Sequence, residues 1–331
     1  MLDPDAKPPL LELRDLRVSF PTSEGSAEAL KGVELAVGRG EILCIVGESG
    51  SGKSLTSLSI LRLISQPGWI SGGEIIFDGA DLLQLPEEQL RNVRGNRISM
   101  IFQEPMSSLN PLLRVGEQIA EPLMRHSGVS RKEATAQAVD MMRLVRIADP
   151  ERRFNDYPHQ FSGGMRQRVM IAIALVCKPE LLIADEPTTA LDVTIQAQVL
   201  DLILDLRDAL GMSVILVTHD LGVVAETAER VAVMYAGRIV ETAPAAELFD
   251  SPRHPYTRRL LAAMPGRTER GHRLADIPGI APPLSEPPSG CGFCPRFEGL
   301  SGGCRTEVPP MVEVAPHHHV RCWHHSAGAA L

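Results

Sequence analysis

Short apolar runs alternate with amphipathic stretches from the start of the chain to about residue 265. The runs at 41–46, 181–184 and 213–217 contain almost no polar side chains, which is typical of strands that are covered on both faces. Amphipathic stretches of helical period lie between such runs. The alternation predicts an α/β fold with a mainly parallel sheet.

The ends of two helices can be predicted from their capping residues. Ser130 is followed three residues later by Glu133, a capping box that predicts the start of a helix, and an apolar stripe at helical spacing follows from Ala134 to Val145. A second apolar stripe at helical spacing runs from 195 to 210 and meets Gly211, a residue type that commonly ends helices. We expect the leucines and methionines of both stripes to be core residues without a chemical role.

The last part of the chain, the tail, has a different composition. Between Gly266 and Leu331 there are nine Pro, nine Gly, four of the six Cys and six of the ten His. Such a segment cannot bury a conventional core, and it needs a metal or the surface of another domain to be stable. We therefore predict two regions, 1–265 and 266–331, and no internal repeat is visible in either.

Charge and hydropathy exclude several classes of protein. The chain has 33 Lys and Arg against 41 Asp and Glu, a net charge of −8, and no Lys/Arg-rich run, so nucleic acid is not expected as a partner. The N-terminal sequence lacks the apolar segment of a secretory signal. No apolar run approaches the roughly 20 residues that span a bilayer, so we expect no membrane crossing.

A glycine-rich loop follows the first unbroken apolar run. Its sequence, GESGSGKS, matches the phosphate-binding pattern G-x-x-x-x-G-K-[ST], and a helical stretch follows it. Glycines allow the tight turn in which backbone N–H groups converge on phosphate oxygens at a helix N-terminus. We expect Lys53 to bridge the β and γ phosphates and the Ser54 hydroxyl to bind Mg²⁺. The expected nucleotide contacts of this phosphate loop are Gly47, Glu48, Ser49, Gly50, Ser51, Gly52, Lys53, Ser54 and Leu55.

Two adjacent carboxylates end another apolar run. Asp185 follows the run 181–184 and is expected to hold Mg²⁺, because a phosphate loop needs a carboxylate for its metal. Glu186 is expected to orient or deprotonate the attacking water. The sequence thus predicts a site that binds Mg·ATP and hydrolyses it.

A third motif, FSGGMRQR, occupies 161–168. Together with GESGSGKS and the two carboxylates, it resembles the ordered motifs of ATP-binding cassette (ABC) ATPases. The resemblance implies a P-loop NTPase fold in 1–265, with a mixed-sheet core, an antiparallel β subdomain and a helical subdomain at about 104–165. It also implies that ATP is sandwiched between the phosphate loop of one chain and Ser162, Gly163 and Gly164 of another.

The same resemblance implies roles for four further residues. Gln103 would bind Mg²⁺ and sense the attacking water, and His219 would contact the γ phosphate, so both are expected to be catalytic. Asp192 would lie at the dimer interface, in a loop where Thr189 replaces the more usual Ser. Phe20 would stack on the adenine ring.

Two longer stretches, YPHQFSGGMRQRVMIAIAL and SPRHPYTRRLL, narrow the resemblance to the ATP-binding subunits of dipeptide and oligopeptide importers. The likeness covers essentially the whole chain. It implies an ATPase at the cytoplasmic face of the membrane that drives two transmembrane permeases, together with an extracytoplasmic substrate-binding protein. A second ATPase subunit would be a paralogue rather than a copy, and import of nickel or glutathione is an alternative to import of peptides.

The tail cysteines are spaced like metal ligands. Four thiolates, from Cys291, Cys294, Cys304 and Cys322, could hold a [4Fe–4S] cluster or, alternatively, Zn²⁺. Peptide-importer ATPases carry a related Cys-rich tail, but Phe297 stands here where that family has a cysteine. A tail without metal is the third alternative. We expect the tail histidines to be solvated, with metal binding as their alternative role: His317, His318, His319, His324 and His325.

Other classes of ATPase explain fewer of these motifs. A DNA-repair or chromosome ATPase would insert a long coiled coil between Gln103 and Ser162, where too few residues lie. A cassette protein that acts on the ribosome usually has two cassettes, whereas one phosphate loop occurs here. A small-molecule kinase does not explain FSGGM, and a metal-binding scaffold has no use for the carboxylates.

Overall fold

The computed structural model describes residues 8–103, 108–188, 192–264, 277–284, 288–296, 304 and 306–325. The chain forms two compact units. The first unit contains residues up to 38, residues 42–83 and those from 217 onward, and the second contains 39–41 and 84–216. The division expected near residue 265 falls where a described range ends, so the regions 1–265 and 266–331 stay a prediction.

An antiparallel sheet of four strands lies in the first unit, as the resemblance implied. Its order is β2-β1-β4-β5. Buried residues alternate with more exposed residues along much of β1 and β2, so that one face of these strands contributes to the core. The strands are β1 (Leu11–Thr22), β2 (Gly25–Val37), β4 (Trp69–Phe77) and β5 (Ala80–Asp81).

The first unit also contains five strands of a mixed sheet, in the order β11-β12-β10-β9-β3. The pair β3 and β9 is parallel, and the other neighbours are antiparallel. All residues of β3 are buried, as its unbroken apolar run predicts. These strands are β3 (Ile42–Val46), β9 (Arg230–Tyr235), β10 (Arg238–Pro244), β11 (Val312–Ala315) and β12 (His318–Val320). The last two strands come from the tail, which therefore extends this sheet.

In the second unit the strand pair β6 and β7 is parallel, and β8 lies next to β7. Two of the three apolar runs that predicted strands lie here, and both form strands that are buried throughout. The strands are β6 (Ile98–Ile101), β7 (Leu181–Asp185) and β8 (Ser213–Val217). β8 ends at the boundary between the two units.

Both units contain helices, which lie between the strands along the chain. Those of the first unit are α1 (Lys53–Ile60), α8 (Leu221–Thr227), α9 (Ala245–Asp250) and α10 (Pro255–Ala262). Those of the second unit are α2 (Glu87–Val93), α3 (Val115–His126), α4 (Arg131–Leu144), α5 (Pro150–Arg153), α6 (Gly163–Leu175) and α7 (Val193–Leu210). Across the described ranges, none of the helices has the length and apolar character needed to cross a bilayer.

Both predicted helix ends are confirmed. The N–H of Glu133 donates to Ser130 Oγ at 3.3 Å and the N–H of Ser130 donates to Glu133 Oε2 at 3.0 Å, which is the reciprocal pattern of a capping box. Gly211 ends α7 with a left-handed backbone at φ 67°. Local capping chemistry therefore decides these two boundaries.

The tail buries an aromatic side chain against the rest of the first unit. Phe293 is 2% exposed, and its ring centroid lies 5.4 Å from those of Tyr235 in β9 and Tyr256 in α10. Aromatic contacts of this kind stabilise by about 0.5–1.5 kcal/mol beyond the area that they bury. The surface of the neighbouring elements thus replaces the separate core that the tail composition cannot form.

One tail histidine corrects the expectation of solvated imidazoles. His318 is fully buried, and its Nε2 lies 2.7 Å from Oε1 of the fully buried Glu241. The same carboxylate accepts hydrogen bonds from the backbone N–H groups of Arg253 and His254 at 2.7 and 2.9 Å. β12 pairs with β10 at this point, and this pairing explains why the His318 side chain is buried beside Glu241.

His254 makes the first unit sensitive to acid. It is buried at the start of α10, where its Nδ1 accepts a hydrogen bond from the N–H of Tyr256 at 3.0 Å. Burial, together with the charge of His325, lowers the pKa of His254 from 6.5 to about 3. Between pH 6.5 and about pH 3, His254 therefore binds a proton in the unfolded chain but not in the folded chain. The free energy of unfolding consequently decreases as pH falls from 6.5 towards 3.

We expect His254 to reduce the free energy of unfolding by about 2 kcal/mol between pH 7 and pH 5. The variant His254→Asn keeps an N-cap acceptor and removes the titrating group. Urea unfolding at the two pH values measures the difference. If the wild type and His254→Asn lose equal stability on acidification, the imidazole is not the source of the acid sensitivity.

Candidate nucleotide site

The phosphate loop connects β3 to α1 and lies tightly against β9. A Cβ atom on Gly47 would stand 2.2 Å from the carbonyl oxygen of Met234, and φ at Gly47 is 154°. A Cβ on Gly52 would stand 2.8 Å from side-chain atoms of Leu30 and Met234. These glycines are therefore required by close packing as well as by backbone conformation.

Lys53 closes the loop from the inside. Its side chain is buried, and Nζ donates to the carbonyl oxygens of Gly47 at 2.8 Å and Glu48 at 3.0 Å. Ser51 is buried too, and among the described residues no partner reaches its Oγ. An enclosed ammonium and an unsatisfied hydroxyl in a glycine loop fit the phosphate oxygens of a nucleotide.

The other expected contacts of the phosphate loop lie where the motif predicts. Ser49 and Gly50 are exposed at the tip of the loop. Ser54 and Leu55 are half-buried in the first turn of α1, which begins at Lys53, directly after Gly52. Ser54 thus presents its hydroxyl at a helix N-terminus, the position from which it would hold Mg²⁺ in a P-loop protein.

Phe20 lies near the end of β1, opposite Ala27 of β2. Its ring packs against Gly68, where a Cβ would stand 2.5 Å from ring atom Cε1. The ring itself is only half-buried. The position suits an aromatic platform for a base, although the adenine contact is still an expectation from the family resemblance.

The second unit brings together two of the expected catalytic side chains. Asp185 is the last residue of β7 and is buried, and Glu186 follows it with an unusual positive φ of 46°. Gln103 follows β6, and its Nε2 donates to Glu186 Oε2 at 3.1 Å. Because β6 and β7 are parallel, their C-terminal ends share one edge of the sheet, which explains this contact.

The FSGGM motif opens α6. Ser162 is the N-cap, and its Oγ accepts a hydrogen bond from the N–H of Met165 at 3.4 Å. Gly163 and Gly164 form the first turn, and a Cβ on Gly164 would stand 2.9 Å from Ile195. The motif therefore begins a helix, and its glycines lie in the first turn, where backbone N–H groups have no partner within the helix.

Sequence reasoning missed Gln167, one turn further along α6. This side chain is 1% exposed, and its Nε2 donates to the carbonyl oxygen of Pro187, directly after Glu186. It therefore links the helix of the FSGGM motif to the loop that carries the expected general base. A glutamine in a helix has no distinctive spacing, so only its burial reveals this role.

Two further expected residues occupy capping positions or lie beside them. Asp192 is exposed and caps α7, since its carboxylate accepts from the N–H of Ile195 at 3.0 Å. His219 is exposed directly after β8, between Thr218 and Asp220, whose backbone N–H donates to Thr218 Oγ1 at 3.0 Å. Their interface and γ-phosphate roles stay predictions, and Thr189 lies outside the described residues.

The four tail cysteines are close in sequence to one another but do not assemble a metal site. The N–H of Cys291 donates to the carbonyl oxygen of Cys304 at 2.9 Å, and burial raises the pKa of Cys322 to about 11. Within the described ranges, which include Cys294 as well, no three side chains form a group that could hold a metal ion. This arrangement does not fit Zn²⁺ or an iron–sulfur cluster.

Comparison with known proteins places these motifs in a family. A family model described as "ABC transporter" matches residues 30–189, and a model described as "Oligopeptide/dipeptide transporter, C-terminal region" matches 240–304. A probable peptide ABC transporter ATP-binding protein of Sinorhizobium fredii is 58% identical over 95% of this chain and 94% of its own. This chain belongs to the ABC transporter ATP-binding proteins. An oligopeptide transport ATP-binding protein of Bacillus subtilis is 53% identical over 95% of this chain and 88% of its own.

Solved structures agree with this assignment. A dimeric ATP-binding cassette in a post-hydrolysis state, bound to ADP and Pi, is 30% identical, with a TM-score of 0.64 over 71% of this chain and 98% of that one. A component of an ABC transporter complex from Clostridium perfringens is 27% identical, with a TM-score of 0.63 over 74% and 92%. The chain is thus an ABC ATPase with the α/β fold of these cassettes, and the family uses ATP with Mg²⁺.

We expect Gly47→Ala to abolish binding of Mg·ADP, and with it of Mg·ATP, by this ABC ATPase. The added Cβ would collide with the carbonyl oxygen of Met234, so the loop around Lys53 could not close. Gly40→Ala is the matched control, because Gly40 also has a positive φ, 72°, but nothing lies within 4 Å of its Cβ position. Isothermal titration of both variants with Mg·ADP measures the affinity, and normal binding by Gly47→Ala would contradict the assignment of the loop.

Proposed function

We propose that this ATPase energises the import of dipeptides or oligopeptides through two transmembrane permeases. The observation that supports this most strongly is the double match, with a cassette at 30–189 and the peptide-transporter C-terminal region at 240–304. Relatives named for peptide or oligopeptide transport align over almost the whole chain. Import of nickel or glutathione is the second candidate, because the family resemblance includes such importers.

In this proposal the phosphate loop binds the phosphates, and the residues at the C-terminal ends of β6 and β7 activate the attacking water and help to hold Mg²⁺. Lys53 holds the phosphates, and Glu186 acts as general base on the attacking water, with Gln103 keeping its carboxylate in place at 3.1 Å. His219 contacts the γ phosphate. Ser54, Gln103 and Asp185 would hold Mg²⁺, which supplies charge for the leaving phosphate oxygens.

Hydrolysis in this proposal requires two cassettes. Each ATP lies between the phosphate loop of one subunit and the Ser162 helix terminus of another, and Asp192 lies near the interface. Closure with ATP and reopening after hydrolysis would bias the permeases towards different states. The partner cassette is a paralogue, and an extracytoplasmic substrate-binding protein delivers cargo to the permeases.

The location that this proposal requires is the cytoplasmic face of the membrane, where the ATPase binds the permeases peripherally. Nucleic acid has no part in it, since the net charge is −8 and the sequence has no basic run. The alternative of a non-transport cassette acting on nucleic acid or ribosomes has no support from the relatives' names.

Iron, sulfide and zinc analysis of anaerobically purified protein tests the tail separately. A stoichiometric metal in the purified protein would restore the metal site that the arrangement of cysteines does not support.

Uptake by the purified complex tests the proposed cargo. The tagged ATPase is isolated with its permeases and reconstituted in vesicles with the substrate-binding protein. Labelled dipeptide, oligopeptide, nickel or glutathione is then supplied. We expect ATP-dependent accumulation of peptide, either dipeptide or oligopeptide, and no accumulation of nickel or glutathione. Accumulation of nickel or glutathione in place of peptide would move the function to the second candidate.

Glu186→Gln tests the proposed general base. The amide cannot accept a proton, so hydrolysis by the variant together with its partner cassette should fall on the order of 100-fold or more, while Mg·ATP still binds and the closed pair of cassettes accumulates. Glu88→Gln, an exposed position in α2, is the control with normal turnover. Phosphate release and size-exclusion chromatography with ATP give the readouts, and turnover by Glu186→Gln at the wild-type rate refutes the assignment.

A further inference from the structure

Arg296 belongs to a short 3-10 turn of the tail (Cys294–Arg296), and the first unit holds its side chain from several sides. The side chain is only 6% exposed. Nε donates to the carbonyl oxygen of Pro278 at 2.8 Å, and Nη2 donates to that of Ile277 at 3.1 Å. The guanidinium also lies over the ring of Tyr235, 5.8 Å from its centroid. The tail therefore fixes both the position and the orientation of this charge.

The remaining nitrogen of Arg296 reaches the phosphate loop. Nη1 donates to Glu48 Oε2 at 2.8 Å and to Tyr235 Oη at 3.3 Å. Glu48 is the second residue of GESGSGKS, a position at which the phosphate-binding pattern permits any residue. The tail thus forms a charge-assisted hydrogen bond with one of the four positions of this loop that the pattern leaves free to vary.

Glu48 also organises the loop through its main chain. Its N–H donates to Tyr256 Oη at 2.8 Å. Its carbonyl oxygen accepts hydrogen bonds from the N–H of Ser51 at 3.2 Å and from Lys53 Nζ at 3.0 Å. A displacement of Glu48 therefore moves one of the two carbonyl acceptors of Lys53, so a single residue connects the tail ion pair to the ammonium that is expected to bind phosphate.

We propose that Arg296 is a positioning residue of the ATP site: by holding Glu48, it keeps Lys53 and the phosphate loop in the shape that binds Mg·ATP. Nucleotide affinity then depends on a docked tail. Two further contacts dock the tail: the pair of Glu241 and His318 lies apart from the loop, and the Phe293 ring cluster contains Tyr256, whose Oη accepts from the N–H of Glu48. This inference rests on the nucleotide site of the proposed function and not on the transported cargo.

The variant Arg296→Met tests this role in the full chain, because methionine keeps much of the aliphatic side chain and removes the charge. We expect KM for ATP to rise on the order of tenfold, the effect of losing one charge-assisted hydrogen bond that organises the loop, while kcat changes less than about threefold. Arg14→Met is the matched control with unchanged KM, since Arg14 makes exposed ion pairs with Glu12 and Glu74 on the antiparallel sheet.

Glu48→Met separates positioning from simple stabilisation of the tail. It removes the carboxylate that accepts from Arg296 and leaves every tail residue in place, so it reports on the loop even where Arg296→Met fails to fold. We expect Glu48→Met to raise KM about as much as Arg296→Met, and the double variant to be no worse than either single variant. Thermal melts and the Kd for Mg·ADP accompany the kinetics.

Unchanged KM in Glu48→Met, or additive effects in the double variant, would overturn the proposal and leave Arg296 with a purely structural role. The transport assay gives an independent answer. Coupled effects of Glu48 and Arg296 on nucleotide affinity, in a complex that imports no peptide, would refute the cargo assignment and uphold the positioning role.

Discussion

The phosphate loop can enclose an ammonium group only because two parallel strands bring their C-terminal ends together. β3 and β9 pair in the register Val46 to Val233, so the next residues, Gly47 and Met234, come into contact. The contact is so close that a glycine is required. The loop then turns back around Lys53, whose Nζ bonds to two of its carbonyl oxygens. The expected chemistry of this unit depends on that closure.

The end of β9 serves both the phosphate loop and the tail. The carbonyl oxygen of Met234 faces Gly47, whereas the next side chain, Tyr235, packs on Phe293 and accepts a hydrogen bond from Arg296. A segment that is rich in proline and glycine thus acquires a fixed structure from an existing strand. This arrangement also explains how a tail without a core of its own can place a buried charge beside the nucleotide site.

Much of the site could be predicted from the sequence because its chemistry depends on local spacing. The loop 47–54, the carboxylates after β7 and the cap at Ser162 each follow from a few consecutive residues that form one turn. The capping box at Ser130 is equally local. Strand runs were recognisable because β3, β7 and β8 are buried on both faces.

Contacts between distant segments could not be predicted in this way. The hydrogen bond from Gln167 to Pro187, the pair of Glu241 with His318 and the bond from Arg296 to Glu48 all depend on strand register and helix placement. The cysteine spacing suggested metal ligands, yet the described residues show no group that could hold a metal ion, because spacing alone does not orient side chains. The types and spacing of neighbouring residues identify a turn, but they do not identify the distant side chain that forms a hydrogen bond with that turn in the folded protein.

Titration of purified wild-type and Lys53→Ala protein with Mg·ATP, at a temperature where hydrolysis is slow, tests the central claim most directly. If the loop around Lys53 is the nucleotide site, the wild type binds one nucleotide per chain and Lys53→Ala loses at least about tenfold in affinity, as expected when a charged hydrogen-bond donor to phosphate is removed. Equal affinity of the two proteins would place the nucleotide elsewhere and contradict the account.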